Sequence, residues 1–116
     1  MAVFKAGGGA TVIKEKEKTS GAWELKQNHP NPFDSRTTIS YQIPVEQNIT
    51  LAVYDINGKL IKNLVHERKT KGSYNVTWNG KDASENKVSN GVYIYKFSSK
   101  RFTKTKRALF RGDLDR

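Results

Sequence analysis

The chain has 116 residues, a formal charge of +10 and no cysteine. That length holds one domain, the missing thiols exclude a disulfide framework and a thiolate metal centre, and no apolar run approaches the ~18 residues of a membrane-spanning helix. The positive charge favours anionic partners, among them nucleic acid, lipopolysaccharide and acidic lipid.

Residues 1–22 differ from the rest of the chain. Gly7-Gly8-Gly9 is a flexible break, and Lys14-Glu15-Lys16-Glu17-Lys18 is a mixed-charge run suited to a solvated linker. Ala2 to Ala6 and Ala10 to Ile13 read as short strands or as remnants of a preceding region. The stretch has no apolar h-region, so it is not a secretory signal. The chain is then either cytosolic or a piece whose signal lies upstream.

Trp23-Glu24-Leu25 opens the predicted domain, residues 23–110, as a short strand. Asn28-His29-Pro30-Asn31-Pro32-Phe33 comes next. Its prolines remove backbone donors and hold their neighbours extended, which predicts a rigid irregular crossing with Phe33 plugging the end of the core. Thr37 to Ile43 alternates with period two and stops at Pro44, so Ile39, Tyr41 and Ile43 point inward. After the polar corner Glu46-Gln47-Asn48, the run Ile49 to Tyr54 places Ile49, Leu51 and Val53 on the core side and Tyr54 outward. Asp55-Ile56-Asn57-Gly58 is a hairpin signal, because Asn-Gly accepts positive backbone angles. A return strand is predicted over 59–65, then a charged loop from His66 to Gly72.

Asn75 to Phe97 organises the rest. It reads strand, turn, polar crossing, turn, strand. Tyr74, Val76 and Trp78 face inward before Asn79-Gly80 breaks the run. Lys81 to Ser89 is too polar to be buried, and Asn90-Gly91 launches a strand with Tyr93, Tyr95 and Phe97 on one side. In the last strand, Phe102 to Phe110, the positions Phe102, Lys104, Lys106, Ala108 and Phe110 alternate with Thr103, Thr105, Arg107 and Leu109. Residues 111–116 form a polar tail. Seven strands with turn signals between them and no helical period predict an all-β, immunoglobulin-like, seven-stranded antiparallel Greek-key β-sandwich. The Cys–Trp–Cys framework of antibody domains is missing.

Chemistry-bearing groups are sparse. The two histidines, His29 and His66, fall on different predicted loops and suggest neither catalysis nor metal ligation. Asp55/Asn57 and Asp82/Glu85 fall short of the six or more oxygens that calcium takes and read as turn formers. Asn48-Ile49-Thr50 and Asn75-Val76-Thr77 match a glycosylation sequon but lie at or inside strands. Arg111-Gly112-Asp113 matches the integrin-binding tripeptide, a length that recurs by chance. No glycine-rich phosphate cradle is present. A non-enzyme without cofactor or metal is expected. The cations Lys100, Arg101, Lys104, Lys106, Arg107, Arg111 and Arg116 crowd the end against only Asp113 and Asp115. They read first as a solvated edge that uses lysine to resist pairing with other strands.

Four features, in order and at matching spacing, resemble the type A C-terminal sorting domain of the type IX secretion (Por) system. They are Asn28 to Phe33 with Thr37-Thr38-Ile39; Val53 to Lys59; Gly72-Ser73-Tyr74 with Trp78 to Asp82; and Asn90 to Tyr93 with a terminal Lys104-Thr105-Lys106 strand. The same pattern is similar to the Ig-like domain of flagellar hook-capping proteins. Residues 25–110 carry the resemblance, with Pro30, Asn31, Pro32, Phe33, Gly58, Trp78 and Gly80 as its structural signature.

The resemblance implies a seven-stranded Ig-like module at the end of a longer secreted protein. Such a module is recognised in the periplasm by secretion-machinery receptors at the outer membrane. It delivers its upstream cargo to the cell surface or medium and is often clipped before the cargo joins anionic lipopolysaccharide. The signal would map to Gly91, Val92 and Tyr93 and to Lys104, Lys106, Arg107, Ala108, Leu109 and Phe110. The pattern departs at the tail, because family members usually stop soon after the last apolar strand. A signal peptide is expected upstream.

Read from the residues alone, the final strand is the best place for a receptor to add a strand, and an uncovered edge there would also pair two copies weakly. Gly91 and Tyr93 equally suit a turn and a core contact. Competing readings are an accessory Ig-like module binding carbohydrate or protein beside a secreted enzyme, a flagellar scaffold, and charge-driven nucleic-acid binding without sequence preference. The first needs exposed aromatics, of which Tyr54 is the one candidate. The last lacks interleaved aromatics apart from Phe102 and Phe110.

Overall fold

Period-two alternation becomes seven strands: β1 (Glu24–Leu25), β2 (Thr37–Ile43), β3 (Gln47–Tyr54), β4 (Leu60–Lys69), β5 (Gly72–Trp78), β6 (Gly91–Ser98) and β7 (Thr103–Phe110). They come from a computed structural model that describes residues 22–112. The expected linker, apart from its last residue, and the tail from Asp113 onward lie outside the described residues. So do the short strands expected near the N-terminus and the acidic member of the Arg111-Gly112-Asp113 tripeptide. Every strand pair is antiparallel, in two sheets ordered β1-β2-β5 and β4-β3-β6-β7. The chain changes sheet between β2 and β3, β4 and β5, and β5 and β6. That is the immunoglobulin-like β-sandwich expected from the pattern, with no helix among the described residues.

The inward positions fill the space between the sheets. Ile39, Tyr41 and Ile43 of β2 meet Ile49, Leu51 and Val53 of β3 and Tyr93, Tyr95 and Phe97 of β6, all buried. Trp78, Phe33 and Phe110 close one end, whereas Trp23 stacks on Phe102 at the other side of Phe97. Burying one large apolar side chain of this kind contributes about 1.5–3 kcal/mol, so these residues supply most of the driving force.

Three local expectations change. First, β4 does not stop at Val65 but runs to Lys69, so His66 to Lys69 are strand and not loop. The reason is the partner: β3 begins at Gln47, and Gln47, Asn48, Ile49 and Thr50 pair with Lys69, Arg68, Glu67 and His66. β4 is an edge strand, where long charged side chains reach water without leaving the ladder. Second, the return strand does not alternate with period two, as Leu60, Lys62 and Leu64 opposite Ile61, Asn63 and Val65 would have it. Register shifts between Leu51 and Ala52 and between Val53 and Tyr54 bring Ile61, Leu64 and Val65 against the core together. Third, the outer edge of β7 is not open along its length. Gln27 Nε2 donates to the Arg107 carbonyl (2.6 Å) and the Phe33 N–H to the Leu109 carbonyl (3.0 Å), while the Arg111 N–H donates to the Phe33 carbonyl (2.9 Å). The proline-rich crossing covers the second half of that edge and leaves only the Thr103–Lys106 half for strand addition.

Candidate functional site

Phe110 is the residue on which the motif positions converge. Its ring lies 5.0 Å from that of Phe33 and 6.4 Å from Trp78, which in turn meets Phe33 and Tyr93 at 5.4 Å each. Gly80 makes this possible. It has φ +72°, and a Cβ there would sit 2.8 Å from the Phe110 ring, so any other residue at this turn would push the plug out. The Trp78 indole N–H donates to the Lys81 carbonyl (2.9 Å), which ties the start of the polar crossing to the core.

The Pro30-Asn31-Pro32-Phe33 segment clamps the same strand. Both Xaa-Pro bonds are cis, and beside the Phe33 bonds the Asn31 Oδ1 accepts the Leu109 N–H at 2.9 Å. Beneath it lies a buried polar knot that periodicity and motif spacing do not single out. Asn28 Nδ2 donates to Thr37 Oγ1 (2.9 Å) and to the Pro30 carbonyl (3.2 Å), and the Thr37 hydroxyl donates to the same carbonyl (2.8 Å). The Tyr95 hydroxyl accepts the Asn28 backbone N–H and donates to the Lys26 carbonyl, both at 2.8 Å. Burial pushes the Tyr95 phenol up to about 12, with the Asn28 N–H bond working in the opposite direction. The available signal was an asparagine just ahead of two Xaa-Pro pairs, where lost backbone donors must be replaced by side chains.

The proposed signal residues fall into two sets. Gly91, Val92 and Tyr93 pair with Phe110, Leu109 and Ala108, so the two segments lie side by side. Tyr93, Ala108 and Phe110 are buried, and the Tyr93 hydroxyl donates to the Ser89 carbonyl at 2.6 Å. Val92, Lys104 and Arg107 are exposed; Gly91, Lys106 and Leu109 are half-buried. The Gly58 turn stands at the same pole, because Tyr54 pairs with both Ile94 and Leu60. There Gly58 (φ +87°) closes a turn in which Asp55 Oδ1 accepts the N–H groups of Asn57 and Lys59, each at 2.9 Å. Ile56 (69% exposed), Leu60 (48%) and Val92 (40%) give the pole an apolar surface. Lys96 Nζ lies 5.7 Å from the Tyr54 ring and Arg107 sits opposite Ile94. The outward positions of β3, β6 and β7 carry no carboxylate.

This arrangement gives the outward face at that pole a mixed apolar and basic character. Among the described residues no group of three or more His, Cys, Asp or Glu is placed to hold a metal. His66 meets the Thr50 hydroxyl through Nδ1 at 3.0 Å, whereas His29 bridges Thr38 through its backbone. Trp78 is buried, Trp23 stacks on Phe102 and Tyr54 is half-buried, so no row of exposed aromatics forms among the described residues.

A family model described as the FlgD Ig-like domain matches residues 31–101. The chain belongs to this family. A structure of FlgD from P. aeruginosa shares 26% identity and a TM-score of 0.54, covering 68% of this chain and 62% of that one. PorZ of Porphyromonas gingivalis, described as an essential surface component of the type-IX secretion system, gives 19% identity and a TM-score of 0.53 over 81% of this chain and 12% of its own length. FlgD from Xanthomonas campestris, described with hook capping in flagellar assembly, gives 15% and 0.53 over 80% and 71%. At those two identities the likeness is one of fold. No curated protein matches the chain. The Ig-like family match spans β2 to β6 and ends before β7, so Lys104 to Phe110 lie beyond it.

Proposed function

We propose that this Ig-like domain is a non-catalytic C-terminal sorting module that directs an upstream cargo through a type IX secretion system to the cell surface or medium. The carrying observation is the side-by-side pairing of Gly91-Val92-Tyr93 with Ala108-Leu109-Phe110, which leaves Val92, Leu109 and Arg107 together on one outward face. Residues far apart in sequence become one surface that a receptor at the outer membrane reads. The basic side chains of β7, Arg107 on this face and Lys104 and Lys106 on the other side of the strand, supply further contacts, to anionic lipopolysaccharide. The similarity of fold to PorZ supports this reading.

The test is delivery. The full chain is fused behind a signal peptide and a fluorescent reporter in a host with a working type IX system. Deleting residues 104–116 would remove Phe110 from the core and confuse recognition with folding. The informative variant is therefore Val92→Glu with Arg107→Glu, which alters exposed positions only. Reporter on the surface with the parent chain and in the periplasm with the folded variant supports the reading. Periplasmic retention of the folded parent chain overturns it.

The match over residues 31–101 and the 26%-identical FlgD structure favour a second reading, a scaffold module of a flagellar hook-capping type. Failure of delivery with an intact fold moves the weight there.

A further inference from the structure

The two sheets have four edges, and the chain protects three of them. β1 has only two residues. β4 carries two register shifts and the charged run His66 to Lys69, and the Ala83 N–H donates to its Ile61 carbonyl at 3.0 Å. β7 carries Lys104, Lys106 and Arg107 and is half covered by the proline-rich crossing. β5 has none of these devices. Its seven residues, Gly72–Trp78, include no charge and no proline, and they pair with β2 in unbroken register from Ile43↔Gly72 to Thr37↔Trp78. Among the described residues, β5 makes backbone ladder contacts with β2 alone. Short length, charge, proline, bulges and covering loops are the ways proteins stop an edge from recruiting another strand, and an edge without them is built to recruit one.

The space beside the Thr77 end of this edge is open. A groove of about 480 Å³ lies between β4 and β5, lined by Lys62, Asn63 and Leu64 of β4, by Thr77 and Asn79, and by Ser35 and Arg36. Tyr74 and Val76 are half-buried, whereas Ser73, Asn75 and Thr77 are exposed. An added strand would therefore carry its apolar side chains on the face of Tyr74 and Val76 and its small polar ones on the outward face of Ser73, Asn75 and Thr77. Arg36 flanks one end and Lys71 precedes Gly72 at the other. Neither makes an ion pair among the described residues, whereas the nearby Lys62 is held by Glu85 at 3.2 Å. A second copy of this chain, itself strongly basic, would bring like charges together at both ends.

We propose that the outer edge of β5 is a strand-addition site for an extended segment of a partner protein, β-branched in its middle and acidic at both ends. The site is separate from the pole around Val92 and Arg107 and stands whether or not that pole is read by a secretion receptor.

The probe is an acetylated, amidated peptide of sequence ETVTVTVTE, titrated into the isotope-labelled full chain while backbone amide shifts and hydrogen exchange are followed. Its lysine-ended counterpart KTVTVTVTK is the control. The expected result is saturable protection confined to Gly72–Trp78, with binding of the control about ten-fold weaker, as loss of two surface ion pairs predicts. In the double variant Arg36→Glu, Lys71→Glu, both changes being on exposed side chains, the preference inverts. Absence of protection on β5, protection on Thr103–Lys106 instead, or equal binding of the two peptides overturns the proposal. Concentration-dependent protection of β5 without any peptide overturns it in favour of self-pairing.

Discussion

Tyr95 joins two distant parts of the chain through one hydroxyl, which holds the Asn28 N–H and the Lys26 carbonyl from the centre of β6. Replacing Tyr95 by Phe leaves that buried N–H without its acceptor, and the expected loss is about 1–3 kcal/mol in urea denaturation. The same ring gives stability a pH dependence. Burial raises both Tyr95 and Tyr41 from 10.0 to about 12, with Tyr74 and Glu67 adding to the effect at Tyr41. Between those values the unfolded chain has released phenol protons that the fold retains. Stability is therefore unaffected by these groups below pH 10 and falls as pH rises toward 12. Phenolate absorbance should show Tyr41 and Tyr95 titrating late, and the Tyr95 contribution should vanish in Tyr95→Phe. Gly80 is the other single residue on which much depends. Gly80→Ala combines a positive φ with a 2.8 Å approach to Phe110, and urea midpoints should register a loss of about 1–3 kcal/mol.

At the scale of elements, the proline-rich crossing and β7 behave as one unit. Asn31→Ala removes the acceptor of the Leu109 N–H. Hydrogen exchange should accelerate at Leu109 and Arg111 and stay unchanged in β2 and β3, with a cost near 1 kcal/mol. Equal acceleration throughout would mean that the clamp is not a separate unit. Much of this level was legible in the sequence. β2 was visible to the residue because Thr37 to Ile43 alternates cleanly between an irregular crossing and Pro44. The inward sets of β3 and β6 came from the same period. β4 was not fully legible, since its last residues are charged and an edge strand tolerates charges that a central strand would reject. Its bulges were invisible too, because register is a property of two strands and the pattern of one cannot reveal it. The candidate site was legible as motifs, but its division into buried Tyr93, Ala108 and Phe110 and outward Val92, Arg107 and Leu109 needed the pairing of β6 with β7. The clamp over β7 was hidden for a similar reason: its bonds join residues nearly 80 positions apart.

For the whole molecule, charge and fold are largely independent. Reversing Lys104, Lys106 and Arg107 to Glu takes the formal charge from +10 to +4, two units at each of three positions. The first and last of these side chains are exposed and Lys106 is half-buried. Stability should change by no more than about 0.5 kcal/mol at each of the two exposed sites. Retention on immobilised lipopolysaccharide should fall sharply, and retention of the parent chain should weaken with added salt. A collapse of the fold in that variant would show that the basic side chains of β7 are part of the scaffold. The place of Phe110 has a consequence of another kind. Synthesis runs from the N-terminus, so Phe33, Trp78, Gly80 and Tyr93 all emerge before the ring that closes over them. Until β7 is made, their pocket has no occupant and the polar ties of Asn31 and Gln27 have no strand to hold. The last strand is thus a completion signal: a chain broken off before it would display a raw aromatic socket, an invitation to proteases and chaperones, and only a finished copy would pass as folded.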